Sequence, residues 1–196
     1  MLRWFQHGVR ERFWDWEHRF VVATITPLAP NDTNSKERIV GAANWRRLGD
    51  RMHKIKSGMA LPVQDIRAFI APVMRAYHEL GWRVWPNRAT TQDPAKAAFL
   101  EHAVESGETL FEGKRSECWD LHVLGVDPEW QGKGVGKELV RWGLDKAMEE
   151  RCSASVMTGW KQEPFYKKAG FQETMSNGDG GIVLFWDPPE SDSEDD

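Results

Sequence analysis

Leu121 to Glu150, LHVLGVDPEWQGKGVGKELVRWGLDKAMEE, is the stretch that decides the fold. Residues 121–126 form a run typical of a β-strand, and Asp127-Pro128 ends it because proline offers no N–H to a ladder. Glycines then stand at every second position: Gly132, Gly134 and Gly136. From Val135 onward the apolar residues recur at helical spacing. The stretch therefore predicts a strand, a glycine-rich loop and a helix in direct succession.

Such a junction gathers unpaired backbone N–H groups at the positive end of a helix, which favours binding of an anion such as a phosphate group. A Walker loop does not fit, because Glu138 follows Gly136-Lys137 where a magnesium-binding Ser or Thr is required. The dinucleotide-binding fingerprint fits poorly, since the third glycine falls one residue early and no short βα turn precedes it. From these residues alone, a loop that merely starts a helix is an open alternative.

Two motifs resemble those of the GNAT superfamily of N-acetyltransferases. Gln131, Gly134 and Gly136 fill the pattern Gln/Arg-x-x-Gly-x-Gly/Ala, and the preceding VDPEW resembles the usual lead-in. Further along, Pro164 to Phe171 (PFYKKAGF) resembles a second family motif. The resemblance covers roughly residues 1–187. It implies an α/β fold, with a mixed sheet split beside its central strand to admit a cofactor.

The resemblance also implies the co-substrate, acetyl-CoA, whose pyrophosphate the family holds with backbone amides of this loop. Backbone N–H groups near the end of the central strand are expected to polarise the thioester carbonyl. The cofactor-binding residues implied in this way are Leu124, Gly125, Val126, Gln131, Gly132, Lys133, Gly134, Val135, Gly136 and Lys137.

Three residues are candidates for the chemistry. Asp120 and His122 are two positions apart, so they share a face of a regular strand, and a histidine can relay a proton near neutral pH. Asp120 also falls where histone-type members of the family carry a catalytic glutamate, and arylalkylamine-type members have histidines at both positions. Tyr166 matches the tyrosine that protonates or holds the coenzyme A thiolate. The alternatives are two polar residues on a half-exposed strand and a tyrosine that packs beside Phe165.

Local patterns predict the remaining elements. They comprise a helix over 2–18, strands over 19–26, 39–48 and 153–158, a helix over 163–169, a strand from Phe171 and a last strand over 182–186. The first two strands form a hairpin. Residues 49–117 form an insertion that resembles one in fungal members, with helical patterns over 62–80 and 94–106. Pro72 is expected to kink or split the first of these.

Composition indicates one globular domain over 1–187 and a disordered acidic tail over 188–196. The net charge of −4 does not favour a nucleic acid or an anionic membrane as partner, and neither is expected. We also expect no membrane span or secretory signal. Cys118 and Cys152 have no metal or redox spacing, which indicates reduced thiols in a cytoplasmic protein. His53, His78 and His102 lack ligand spacing, so no metal site is expected.

The expected activity is transfer of an acetyl group from acetyl-CoA to a primary amine, by direct attack in a ternary complex of a monomer or homodimer. Family members normally begin with a strand and two helices ahead of the hairpin. Only 18 residues precede it here, so the first strand and helix are expected to be missing. A non-catalytic acyl-CoA-binding or interaction module is therefore the alternative, and a nucleotide-binding domain is a third possibility. The acceptor stays open among polyamines, aminoglycosides, arylalkylamines and protein amines.

Overall fold

A computed structural model describes residues 9, 12–15, 17–26, 37–49, 70, 72–74, 76, 77, 109–176 and 181–189. These residues form a six-stranded sheet in the order β1-β2-β3-β4-β6-β5, and two helices are described from end to end. The strands are β1 His18–Ile25, β2 Arg38–Leu48, β3 Cys118–Val126, β4 Ser153–Gly159, β5 Glu173–Ser176 and β6 Gly181–Trp186. The helices are α1 Val135–Glu150 and α2 Glu163–Ala169.

The sheet is mixed, as the sequence predicts. β1, β2 and β3 pair antiparallel, β3 and β4 pair parallel, and β4, β6 and β5 pair antiparallel. A parallel pair requires a crossover connection, and α1 supplies it between β3 and β4. The predicted hairpin of the first two strands is confirmed.

The core lies between α1 and one face of the sheet. Trp45 on β2 is fully buried, and its Nε1 donates to the Leu139 carbonyl oxygen of α1 at 3.2 Å. Its ring occupies the space beside Gly143, where an added Cβ would stand 2.1 Å from a ring carbon. The predicted apolar stripe of α1 is confirmed, because its buried residues are Leu139, Val140, Gly143, Leu144 and Ala147.

The parallel pairing of β3 and β4 is short. It runs from Cys118 opposite Ser153 to Leu121 opposite Val156, after which the two strands diverge. β3 continues to Val126 without a partner on that side, while β2 still accompanies it on the other. The sheet is therefore split beside its central strand, in the manner expected of the fold.

A bulge changes the side-chain alternation of β3 just before the split. Asn44 on β2 stands opposite Val123 and Trp45 stands opposite Leu121, so His122 has no counterpart on β2. Leu121 belongs to the core, and Leu124, three positions later, packs against the same core. A regular strand would place these two side chains on opposite faces. Because of the bulge, the side chain of Leu124 points to the same face as that of Leu121, the face that α1 covers.

Three predicted boundaries were wrong. The first helix does not reach residue 18, because a turn forms at Asp15. The Asp15 side chain accepts the Glu17 N–H, and the Asp15 carbonyl accepts the His18 N–H. The central strand begins at Cys118 instead of Leu121, since Cys118 pairs with both Leu48 and Ser153. Phe171 does not begin a strand, because its N–H closes the end of α2 on the Tyr166 carbonyl at 3.1 Å.

Most of the predicted insertion lies outside the described residues. Within the 62–80 pattern, residues 70, 72–74, 76 and 77 are helical. The pattern over 94–106, most of the first 17 residues and the acidic tail from residue 190 also lie outside them.

Candidate functional site

A cleft of about 550 Å³ opens where β3 and β4 diverge. The end of β3, the glycine loop, the first turn of α1 and the start of α2 surround it. The lining residues are Leu124, Val126, Gln131, Gly132, Gly134, Gly136, Lys137, Gln162, Phe165 and Tyr166. Seven of the ten residues predicted to bind the cofactor are in this lining.

The other three predicted residues lie beside the cleft in different roles. The Lys133 ammonium stands 4.4 Å above the Trp130 ring, a cation–π contact within the loop. Val135 packs onto Gly41 of β2, where an added Cβ would stand 2.9 Å from its Cγ1 atom. Gly125 lies on β3 opposite Ala42. These three residues are not among those that line the cleft.

The loop has the geometry of an anion site. Gly134 caps α1 in the left-handed region, with φ 88°, and the first helical hydrogen bond runs from the Glu138 N–H to the Gly134 carbonyl at 3.1 Å. The N–H groups of residues 135–137 precede that bond, so they have no acceptor within the helix. A Cβ added at Gly132 or Gly134 would meet no atom within 4 Å, so the space over the loop is open. These features fit a phosphate group.

The end of β3 is tied to this loop and turned toward the cleft. The Gln131 Nε2 atom donates to the Val126 carbonyl at 3.1 Å. The Asp127 N–H donates to the Val40 carbonyl of β2 at 2.8 Å. Because N–H groups alternate along a strand, those of Leu124 and Val126 face the other side, from which β4 has diverged. They are therefore available as donors in the cleft.

We expect Gly134→Ala to weaken binding of coenzyme A about tenfold, because an L-residue at φ 88° is strained by about 1–2 kcal/mol and the loop amides must shift. Isothermal titration measures the dissociation constant. Gly113→Ala is the matched control, because Gly113 also has a positive φ, 61°, and open space around it but does not line the cleft. An equal loss of affinity in both variants would contradict a direct role for the loop.

Tyr166 lies in the wall of the cleft on α2. It is 8% exposed and stands edge-on to Phe165 and Phe171, with ring centroids 5.0 and 5.9 Å away. Burial raises the pKa of its phenol, so the hydroxyl keeps its proton at neutral pH. A protonated phenol in the cleft can donate to a thiolate, and the ring also packs in the core.

Replacing Tyr166 with phenylalanine should lower kcat by about 10–100-fold and leave the KM for acetyl-CoA within about twofold, because the ring and its packing are kept while the proton donor is lost. Steady-state kinetics with a fixed amine separates the two parameters. Tyr77→Phe serves as the control, since Tyr77 is the other tyrosine of the chain and is exposed. A rise in KM with kcat unchanged would assign Tyr166 to binding instead.

Asp120 and His122 lie together, as their spacing predicts. The His122 Nδ1 and Asp120 Oδ2 atoms are 4.0 Å apart, and the two side chains are 35% and 19% exposed. Burial raises the pKa of Asp120 to about 6. Burial, helped by the positive charges of Arg12 and Arg46, lowers the pKa of His122 to about 4. At neutral pH the pair is thus a carboxylate that accepts a proton readily beside an uncharged imidazole.

Four further residues complete this polar cluster. The Ser155 Oγ atom donates to Asp120 Oδ1 at 2.9 Å, and Cys118 stands behind Ser155. The His18 Nδ1 atom donates to Asn44 Oδ1 at 3.0 Å, and its ring stands edge-on to His122 at 5.9 Å. Burial lowers the pKa of His18, which keeps that ring neutral as well.

Sequence reasoning missed His18, Asn44 and Ser155. A signal existed for Asn44, a polar residue within the apolar run IVGAANW of a strand. The helical pattern over 2–18 includes His18, whereas the structure places it at the start of β1. Ser155 offered no local signal, because its partner lies 35 residues away on another strand.

Neither a metal site nor a membrane span is found in the part of the chain that the structure describes. No group of three or more His, Cys, Asp or Glu residues there could hold a metal ion. No helix there is long and apolar enough to cross a membrane. Cys118 and Cys152 are buried free thiols.

A comparison with protein families matches residues 97–173 to the acetyltransferase (GNAT) domain. This is less than half of the 196 residues, but it includes β3, the glycine loop, α1, β4 and α2. Every element that borders the cleft therefore falls within the match. With the mixed six-stranded sheet, the predicted α/β GNAT fold is confirmed.

Solved structures give weaker likenesses. A histone acetyltransferase HPA2 and related acetyltransferase from Corynebacterium glutamicum shows 15% identity over 98% of this chain and 76% of its own, with a TM-score of 0.45. A Drosophila melanogaster polyamine N-acetyltransferase shows 16% identity over 76% of this chain and 70% of its own, with a TM-score of 0.44. The Bacillus subtilis N-acetyltransferase YlbP, solved with coenzyme A, shows 22% identity and a TM-score of 0.34. The match covers 42% of this chain and 54% of YlbP. Likenesses of this size carry no argument about the reaction or the acceptor.

Proposed function

We propose that this protein transfers an acetyl group from acetyl-CoA to a primary amine, by direct attack within a ternary complex. The observation that carries the proposal is the cleft between β3 and β4, bordered by a helix-start anion site at one end and by Tyr166 in its wall. Acetyl-CoA would supply an activated thioester carbonyl, and the residues of this chain would bind and orient it.

The loop amides of residues 135–137 and Lys137 would hold the pyrophosphate by hydrogen bonds and positive charge. The N–H groups of Leu124 and Val126 would face the developing negative charge on the carbonyl oxygen. Tyr166 would donate its phenolic proton to the departing sulfur. All the residues that carry these groups line the cleft except Val135, which lies beside it.

Asp120 and His122 would prepare the acceptor. An amine attacks only when neutral, so a proton must leave it before or during attack. The Asp120 carboxylate, with its pKa near 6, would receive that proton through the neutral His122 imidazole or through a water molecule. Their positions on β3, next to the strand end that borders the cleft, support this pairing of roles.

The direct test is release of free thiol from acetyl-CoA in the presence of a panel of amines: a polyamine, an aminoglycoside, an arylalkylamine and a peptide with a free N-terminus and lysine. Turnover on at least one of them is expected. Tight binding of coenzyme A with no turnover on any amine would instead support a non-catalytic acyl-CoA-binding module.

Thermal shift separates the proposal from a nucleotide-binding function. Acetyl-CoA at a concentration 100 times its dissociation constant should stabilise the folded state by about 2.7 kcal/mol and raise Tm by several degrees. ATP and NAD should give a smaller shift, since they lack the pantetheine arm that would extend into the cleft. Equal protection by ATP would contradict the proposal.

A further inference from the structure

Two buried serines on β4 each hold a carboxylate. Ser153 Oγ donates to Asp187 Oδ1 at 2.6 Å, and Ser155 Oγ donates to Asp120 Oδ1 at 2.9 Å. Ser155 has no exposed surface, and it stands directly opposite Asp120 in the parallel register of β3 and β4. The register of these strands therefore places a hydroxyl beside the carboxylate of the cluster, just before the strands separate.

The direction of the Ser155 hydroxyl is set by a third group. The Cys118 thiol donates to Ser155 Oγ, with 3.4 Å between sulfur and oxygen. Burial, the largest cause, raises the pKa of Cys118 above its ordinary value, so the thiol keeps the proton that it donates. Since a serine hydroxyl has a single proton, an acceptance from Cys118 leaves that proton committed to Asp120. The three groups form a chain of donors that ends on the carboxylate.

This chain fixes the orientation of Asp120. With Oδ1 engaged by Ser155, the other oxygen, Oδ2, is the one that faces His122 Nδ1 at 4.0 Å. We propose that Ser155, oriented by Cys118, is the positioning residue that holds Asp120 with one oxygen turned to His122, ready to receive the acceptor's proton. The inference rests on the acetyl transfer proposed above and adds to it a residue on the neighbouring strand.

Charged and titratable groups surround Asp120 from each packed strand. Arg46 stands opposite it on β2 and favours the carboxylate form. Cys118 and His122 flank it on β3, and Arg12 and His18 both contribute to the lowered pKa of His122. Ser155 on β4 also favours the carboxylate form, because its hydrogen bond is made to the charged oxygen. Removal of the hydroxyl therefore shifts the pKa of Asp120 upward.

The test compares Ser155→Ala with Ser153→Ala, two equal truncations of buried serines on the same strand. In the parent protein, kcat/KM should rise with pH through an ascending limb near 6. In Ser155→Ala that limb should move up by about one pH unit, the effect of one lost hydrogen bond to a buried charge. Ser153→Ala should leave it in place, and the KM for acetyl-CoA should stay within twofold in both. An unmoved limb in Ser155→Ala, or equal movement in both variants, would overturn the inference.

A second readout does not need activity. Urea unfolding measured between pH 4 and 8 reports the titration of Asp120, and Ser155→Ala should shift that titration upward by the same amount. In the Asp120→Asn background the shift should vanish. If the parent protein acetylates no amine, the proposed function fails while this measurement still tests the Ser155–Asp120 contact. A shift in stability without a shift of the kinetic limb would overturn the role in catalysis.

Discussion

Replacing Asp120 with asparagine should greatly reduce turnover and, at the same time, make the protein more stable above pH 7. The loss of turnover, about 10²–10⁴-fold in kcat, follows from removal of the proposed proton acceptor. The ascending limb of kcat/KM near pH 6 should disappear with it. The asparagine amide oxygen can still accept from Ser155, so the cluster keeps its hydrogen bond.

The gain in stability follows from the raised pKa of Asp120. Its carboxyl titrates near 6 in the folded protein instead of at its ordinary 3.8, so folding favours the protonated form. The stability contributed by this group is complete below about pH 4 and is lost as the pH rises through 6. Asparagine is not subject to that loss. At pH 8 we expect a gain of about 1–2 kcal/mol, reduced from the full value because the side chain is 19% exposed.

Urea unfolding at pH 5 and at pH 8 measures this effect, and Asp187→Asn provides a control of opposite sign. Burial works against ionisation of Asp187, but hydrogen bonds from Arg115 and Ser153 hold its pKa below the usual value. Asparagine there should therefore destabilise the protein at both pH values. A loss of stability in Asp120→Asn at pH 8 would show that the folded protein favours the charged form of Asp120.

Gly143→Ala should destabilise the protein by about 2–4 kcal/mol, although alanine favours a helix over glycine by about 1 kcal/mol. The reason is the Trp45 ring, which leaves 2.1 Å for a Cβ atom at residue 143. Trp45 is fully buried and hydrogen-bonded to α1, so neither the ring nor the helix can move without breaking that contact.

A double-mutant cycle tests this explanation. Trp45→Phe removes part of the ring and its Nε1 donor, so it is itself destabilising. In that background Gly143→Ala should be less costly, because the smaller phenyl ring is no longer held by the Nε1 hydrogen bond and can withdraw from residue 143. Equal costs in the two backgrounds would contradict packing of Trp45 against Gly143. Lys146→Ala, a change of a half-buried lysine on the same helix that loses only its ion pair with Glu149, should alter the free energy of unfolding by less than about 0.5 kcal/mol.

The helices beside the cleft could be predicted closely from local signals. α1 begins at Val135 because Gly134 adopts a positive φ, and α2 ends at Ala169 because Gly170 does the same. Both rules depend on one residue and its neighbours. The errors at Asp15 and Phe171 have the same local scale, since each is a hydrogen bond that competes with continuation of a helix or strand.

The site was predictable only in part. The pairing of Asp120 with His122 follows from their spacing on one strand, and the loop before α1 follows from its glycines. Ser155 depends on the parallel register of β3 and β4, and His18 with Asn44 depends on the register of the hairpin. Such registers are set by long-range packing, which no local pattern encodes. The bulge at His122 also has no glycine or other residue to mark it.

The four-residue contact between β3 and β4 has a mechanical consequence. It joins two three-stranded halves, β1-β2-β3 and β4-β6-β5, and α1 packs against strands of both. An extended ligand in that gap would contact both halves, and its contacts would add to the four residue pairs and the covering helix. Under a force that pulls β3 and β4 apart, the described sheet should separate first between these strands when the gap is empty. With a ligand in the gap, it should separate at a higher force.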